Sequence, residues 1–232
     1  MTANWSQYSL SELRSNAVQT FRQGGGSRPD VLLIKIAGEY AVLKDQNAAD
    51  KWFARLIGPI LNWRECKALT RLSGLESTPK LLTKPDSRSF LMSFHPSQQV
   101  TRIDGHTLDW PTFFTRLQST IEAMHAAGVA HNDLRNPTNI LVTPDGAPIL
   151  VDLVACFCRG AAWNRPNRWL FKKFAEVDKS AIRKLKARVA PELIDETDVV
   201  AEEIAGRLGM WIKNLGKAIR KVSRYLFTSK QT

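Results

Sequence analysis

Apolar and polar positions change period along this chain, and the changes mark its elements. The run Val31-Leu32-Leu33-Ile34-Lys35-Ile36 reads as a strand, Ala37-Gly38-Glu39-Tyr40 as a turn, and Ala41-Val42-Leu43-Lys44-Asp45 as a second strand. An earlier strand is expected over Val18–Arg22, after a short helix opened by the capping-box pattern Ser9-Leu10-Ser11-Glu12. A helix follows over Ile60–Ser73, with Ile60, Leu61, Ala68, Leu69 and Leu72 as its apolar positions. Leu81-Leu82 and Ser89–Phe94 read as strands. Phe113, Phe114, Leu117, Ile121 and Met124 then recur at helical spacing over Trp110–Ala127, closed by Gly128. Pro144-Asp145-Gly146 predicts a hairpin turn between Ile140–Val142 and Ile149–Val151. Further on, helices are predicted over Lys179–Val189 and Met210–Phe227. The proline of Ala190-Pro191-Glu192 is read as a helix breaker.

The hairpin region also carries the candidate chemistry. His131-Asn132-Asp133-Leu134-Arg135 places an Asp in a His-x-Asp loop. Asn139 comes six residues after that Asp, and Asp152 ends the strand that follows. This order resembles the phosphoryl-transfer template of protein kinases, in which catalysis rests on positioning and on neutralising phosphate charge. Asp133 is the candidate base that takes a proton from a hydroxyl. Asn139 and Asp152 are candidate ligands for Mg²⁺, which prefers hard oxygen donors and uses one or two carboxylates. His131 is expected to brace the loop backbone, and Asn132 and Arg135 to contact substrate or phosphate. Two departures stand out: the Asp-to-Asn spacing is one residue longer than the template, and Asp152-Leu153-Val154 lacks the glycine of D-F-G. Upstream, Lys44 ends its strand as in the V-A-I-K pattern, which would pair it with nucleotide phosphates. Glu65 lies on the following helix, where it could hold Lys44. Gly24-Gly25-Gly26 is a candidate phosphate-covering loop, since glycine lets backbone amides approach phosphate closely. Met92 and Phe94 are candidates for stacking on adenine.

On these motifs, from about Val31 to Leu153, the chain resembles a small bacterial member of the protein-kinase-like superfamily. It is similar to RIO-type atypical kinases and to the lipopolysaccharide-core (heptose/Kdo) sugar kinases. The resemblance implies an α+β, two-lobed fold in a single domain of 232 residues. A small antiparallel β-rich lobe would occupy about 1–95, and a trimmed helical lobe about 96–232. It implies ATP and Mg²⁺ as cofactors and transfer of the γ-phosphoryl group to a hydroxyl acceptor. A lipopolysaccharide-core sugar or other anionic glycolipid is the expected acceptor, with a protein serine or threonine as the alternative. A non-catalytic pseudokinase that binds membrane or RNA is the competing class.

Charge adds a partner. The chain carries a net +11, and Arg159–Thr232 holds 17 Lys and Arg against 8 Asp and Glu. In Met210–Phe227, Trp211, Leu215, Ile219, Val222 and Leu226 form one stripe, with Lys213, Lys217, Arg220, Lys221 and Arg224 around it. A basic amphipathic helix of this kind suits an anionic membrane surface. Trp163, Arg165, Arg168, Trp169, Lys172 and Lys173 make a second basic-aromatic cluster, suited to an anionic acceptor or, less readily, to nucleic acid. The polar N-terminus lacks a signal-peptide layout and no apolar run reaches 18 residues. The expected location is therefore cytoplasmic, with peripheral contact at the inner face of the cytoplasmic membrane. Cys66, Cys156 and Cys158 form no C-x-x-C pair and read as ordinary small buried side chains.

Overall fold

The computed structural model describes residues 3–103 and 107–195. The amphipathic Met210–Phe227 segment lies outside the described residues. The first element, α1 (Leu10–Ser15), opens on a complete capping box: Ser9 accepts from the Glu12 amide while Glu12 accepts from the Ser9 amide. Next come β1 (Ala17–Arg22), β2 (Asp30–Ile36) and β3 (Glu39–Asp45). The β2–β3 turn places Ala37 and Gly38 at φ 51° and 84°, the left-handed pair that a tight hairpin needs. Two helices follow, α2 (Lys51–Leu56) and α3 (Gly58–Arg71), then β4 (Leu81–Thr83) and β5 (Ser89–Ser93). The five strands pair antiparallel in the order β1-β2-β3-β5-β4, with Lys44 opposite Val31 on one side and Phe90 on the other.

Strand alternation divides this sheet into two faces. Leu32, Ile34, Ala41, Leu43 and Leu91 face Trp5 and Leu13 of the N-terminal segment. Leu33, Val42, Phe90 and Met92 face the other way, toward Ala68, Leu69 and Leu72 of α3. Arg14 of α1 ties the paired ends of β2 and β3 by bonding Asp30 at 2.6 Å and also Asp45, which is fully buried.

The second half is built from β6 (Gln98–Gln99), α4 (Trp110–Ala126), β7 (Val129–Ala130), β8 (Ile140–Val142), β9 (Pro148–Leu150), β10 (Phe157–Cys158) and α5 (Arg165–Val189). The hairpin forms as its turn residues predict, with β6 pairing to β8 and β10 to β7. The largest correction is α5. It begins at Arg165, not Lys179, because Asn164 caps it and Pro166 fits its first turn. It then ends at Val189, where Ala190-Pro191 breaks it as expected. Phe113, Leu117, Ile121 and Met124 of α4 are fully buried, and they join Leu33, Phe90 and Met92 of the sheet in one continuous apolar core. Among the described residues no helix is long and apolar enough to cross a membrane.

Candidate active site

A cleft of about 440 Å³ lies between the sheet and the hairpin. Val31 and Val42 come from β2 and β3, Met92 and Phe94 from β5 and its exit, and Leu141 and Ile149 from the hairpin. These make an apolar slot. Lys44, Asn139 and Asp152 line its polar end.

Lys44 is the hub of that end. Its Nζ donates to Glu65 Oε1 at 2.9 Å, to Glu65 Oε2 at 2.8 Å, and to Asp152 Oδ1 at 2.7 Å. Glu65 Oε1 also accepts the Leu153 amide at 3.2 Å, so one buried carboxylate fixes both the strand lysine and the turn after Asp152. Burial by itself would lower the Lys44 pKa, but the charges of Glu65 and Asp152 outweigh it and raise the value. Burial pushes the Glu65 carboxyl up against the pull of Lys44. Burial would also raise Asp152, yet the Lys44 ammonium wins and holds it below the ordinary carboxylate range. Asp152 adopts a left-handed backbone at φ 64°, a strained placement for a non-glycine residue and one that such sites retain. Its second oxygen lies 3.8 Å from Arg22 at the end of β1.

The His-x-Asp loop is held from three sides. His131 is fully buried and its Nε2 meets the Val151 carbonyl at 2.9 Å. A carbonyl only accepts, so Nε2 carries the hydrogen, and Nδ1 is left to accept the Asp133 amide at 3.4 Å. The Asn139 Nδ2 donates to the Asp133 carbonyl at 3.0 Å and to Asp133 Oδ2 at 2.9 Å, which orients the candidate base. Asn132 donates to the Ala155 carbonyl at 3.3 Å, and Arg135 is exposed. The third support went unseen in the sequence. Asp178 of α5 is fully buried and accepts the backbone amides of His131 and Asn132, each at 2.7 Å, and meets His125 Nε2 at 3.0 Å. Its signal was a lone acid on the apolar stripe Phe171, Ala175, Ala181, Leu185 of α5.

The three glycines are placed elsewhere. The Gly24 amide is taken by Asp30 at 2.6 Å and the Gly25 amide by the Arg28 carbonyl at 3.1 Å. None of Gly24, Gly25 or Gly26 lines the cleft, whereas Gln19, Phe21 and Arg22 of β1 do. Two cations, Lys44 and Arg22, lie against Asp152 in the cleft.

The donor set suits a hard cation that arrives with phosphate. With its amide nitrogen committed to Asp133, Asn139 keeps its oxygen for another partner, and Asp152 supplies a carboxylate in the same cleft. Among the described residues no group of three or more His, Cys, Asp or Glu could hold a metal. One carboxylate and one amide match the ion that takes the rest of its oxygens from substrate and water.

No family model matches the chain, and no curated protein matches it. Solved structures do match. The Rio2 kinase-ADP/Mg²⁺-phosphoaspartate complex from Chaetomium thermophilum aligns with TM-score 0.58 at 16% identity, covering 82% of this chain and 62% of that one. The Rio2 kinase from Chaetomium thermophilum aligns with TM-score 0.56 at 17% identity, covering 82% and 64%. This chain has a protein-kinase-like fold. It spans a little under two thirds of the length of those Rio2 chains. Within the kinase-like fold the sheet and α3 bring Lys44 and Glu65 to the cleft, and the hairpin brings Asn139 and Asp152.

The segment after Asp152 carries two free thiols, Cys156 and Cys158. A hydrogen bond with the Cys156 thiol lowers the Cys158 thiol to about 6, against its burial, helped by the charges of Arg71, Lys67 and Arg64. Iodoacetamide should therefore modify Cys158 first, with a rate that rises through a midpoint near 6 and falls away in more acid solution. Mass spectrometry of the labelled peptide across pH checks this. A midpoint at the ordinary thiol value of about 8.5 would refute it.

Proposed function

We propose that the chain is a phosphotransferase that uses ATP and Mg²⁺ to phosphorylate a hydroxyl group. The observation that carries this is the Lys44 ammonium, bonded at once to buried Glu65 and to Asp152 beside the Asn139–Asp133 pair. The apolar slot between Val31, Val42, Leu141 and Ile149 fits a flat adenine, with Met92 and Phe94 at its side. Lys44 then faces the α- and β-phosphates, while Asp152 and Asn139 are the residues that hold Mg²⁺. An ion held by Asp152 and Asn139 would supply positive charge against the negative charge that develops on the transferring phosphate. Asp133, oriented by Asn139, accepts the proton of the attacking hydroxyl. Arg22 takes the phosphate-neutralising part that the glycine hairpin, with its Gly24 and Gly25 amides engaged and outside the cleft, does not fill. The solved Rio2 complex with ADP, Mg²⁺ and phosphoaspartate supports a nucleotide and this ion in the cleft.

For the acceptor, the basic-aromatic start of α5 favours an anionic compound, such as a lipopolysaccharide-core sugar, over a neutral one. A protein serine or threonine is the second reading. The test is transfer of label from γ-labelled ATP into cell-envelope extract, followed by separation of lipid from protein. Label is expected in the lipid fraction, reduced about 10²–10⁴-fold by Asp133→Ala, the range of a positioned general base. Label in neither fraction, with no change for Asp133→Ala, would leave a binding module.

A further inference from the structure

Of the six tryptophans among the described residues, four are substantially exposed: Trp52, Trp63, Trp163 and Trp169 at 56%, 57%, 84% and 49%. Two large aliphatics join them, Leu56 at 61% and Ile60 at 53%. A soluble surface rarely gathers so many large apolar side chains without a use for them. Their placement is regular. Trp52 and Leu56 are four residues apart on α2, and Ile60 and Trp63 three apart on α3, so each helix carries its own exposed apolar pair. The α3 pair lies opposite the face of α3 that buries Glu65, Cys66 and Leu69. Trp163 and Trp169 flank the start of α5.

The same elements are basic. From Lys51 to Arg71 the chain has five Lys and Arg, and its one acid, Glu65, is buried at 1% exposure. From Ala155 to Lys173 it has five more and no acid. Two of these cations are stacked on the tryptophans, with Lys67 4.8 Å above Trp63 and Lys173 5.5 Å above Trp169. Two bonds join the regions: Arg64 donates to the Cys156 carbonyl at 2.7 Å and Arg71 to the Arg159 carbonyl at 2.9 Å.

We infer that α2, α3 and the start of α5 form one docking surface for an anionic lipid membrane. Tryptophan ringed by lysine and arginine is the composition that settles at a lipid–water interface, ring among the headgroups and cation toward the phosphates. The aliphatics decide between lipid and RNA. Single-stranded nucleic acid uses aromatic faces and cations, whereas Leu56 and Ile60 gain little from stacked bases and much from acyl chains. The attachment is peripheral, and it stands whether or not the cleft transfers phosphate.

Vesicle sedimentation tests it without ATP. The full chain is mixed with phosphatidylcholine vesicles, with or without roughly one third phosphatidylglycerol, an anionic headgroup. Pelleting is expected with the anionic vesicles at low salt and not with the neutral ones, with tryptophan fluorescence quenched by brominated acyl chains. Replacing Trp52, Trp63, Trp163 and Trp169 together by serine should weaken partitioning by about tenfold or more. The variant K67E/R168E/K172E changes only exposed side chains and should remove the salt-sensitive part. Undiminished partitioning of both variants would overturn the inference by placing any attachment elsewhere. So would binding to polyuridylate with none to vesicles.

Discussion

Exchanging Lys44 for methionine should lower the stability of the fold by about 3–5 kcal/mol, because it leaves a buried carboxylate without its cation. Glu65 is 1% exposed and Lys44 3%, so water cannot take over the lost partner. Adding Glu65→Leu should restore part of that loss by removing the buried charge, less the cost of the Leu153 amide, which then loses its acceptor. Neither variant should transfer phosphate. The urea midpoint and slope of each protein check the first two statements. A double variant no more stable than Lys44→Met would mean that Glu65 is not the orphan. The pair also fixes a pH response. The raised Lys44 pKa makes its stabilisation complete below the ordinary lysine value and lost only as pH climbs through the folded one. The lowered Asp152 pKa makes its share complete above the ordinary carboxylate value and lost as pH falls through the folded one. Stability from these two groups is therefore flat through neutral pH.

Asp178→Ala is the second large effect. Three donors lose their acceptor at one position: the amides of His131 and Asn132 and the ring of His125. Each buried orphan costs about 1–3 kcal/mol. Asn132 sits at φ 64°, a strained conformation that persists only while its surroundings enforce it. The loop should relax and carry Asp133 out of register with the acceptor. On the proposed function, the expected outcome is a fall in kcat of about 10²–10⁴-fold, comparable to loss of the proposed base Asp133. ATP affinity should change much less, because Lys44 and the apolar slot are untouched. Single-turnover rates and nucleotide titration separate the two. An equal loss in both would assign Asp178 to folding alone.

Most of the residues gathered at the candidate site were legible because they are local. Strand, turn and helix patterns carry Lys44 and Glu65, and one short run holds His131, Asp133 and Asn139, with Asp152 closing the hairpin after it. Asp178 was not legible in that way. It lies far along the chain on a helix whose first half is crowded with Trp, Lys and Arg, so its period was hidden and only Lys179–Val189 read as helical. The glycines misled for a different reason. Their composition suits phosphate, but whether their amides remain available depends on Asp30 and Arg28, which no local pattern announces. Helix α2 was missed because Gly58-Pro59 reads as an interruption, and β6, β7 and β10 are two residues each, too short to show a period.

The apolar interior shared by the sheet and the helices bears on how the molecule comes apart. Leu33, Phe90 and Met92 belong to the same cluster as Leu117, Met124 and Leu150. Neither half can leave without laying bare the oily surface of the other. Heating should therefore melt the whole in one cooperative step, and a fragment ending near His95 should stay unfolded in isolation.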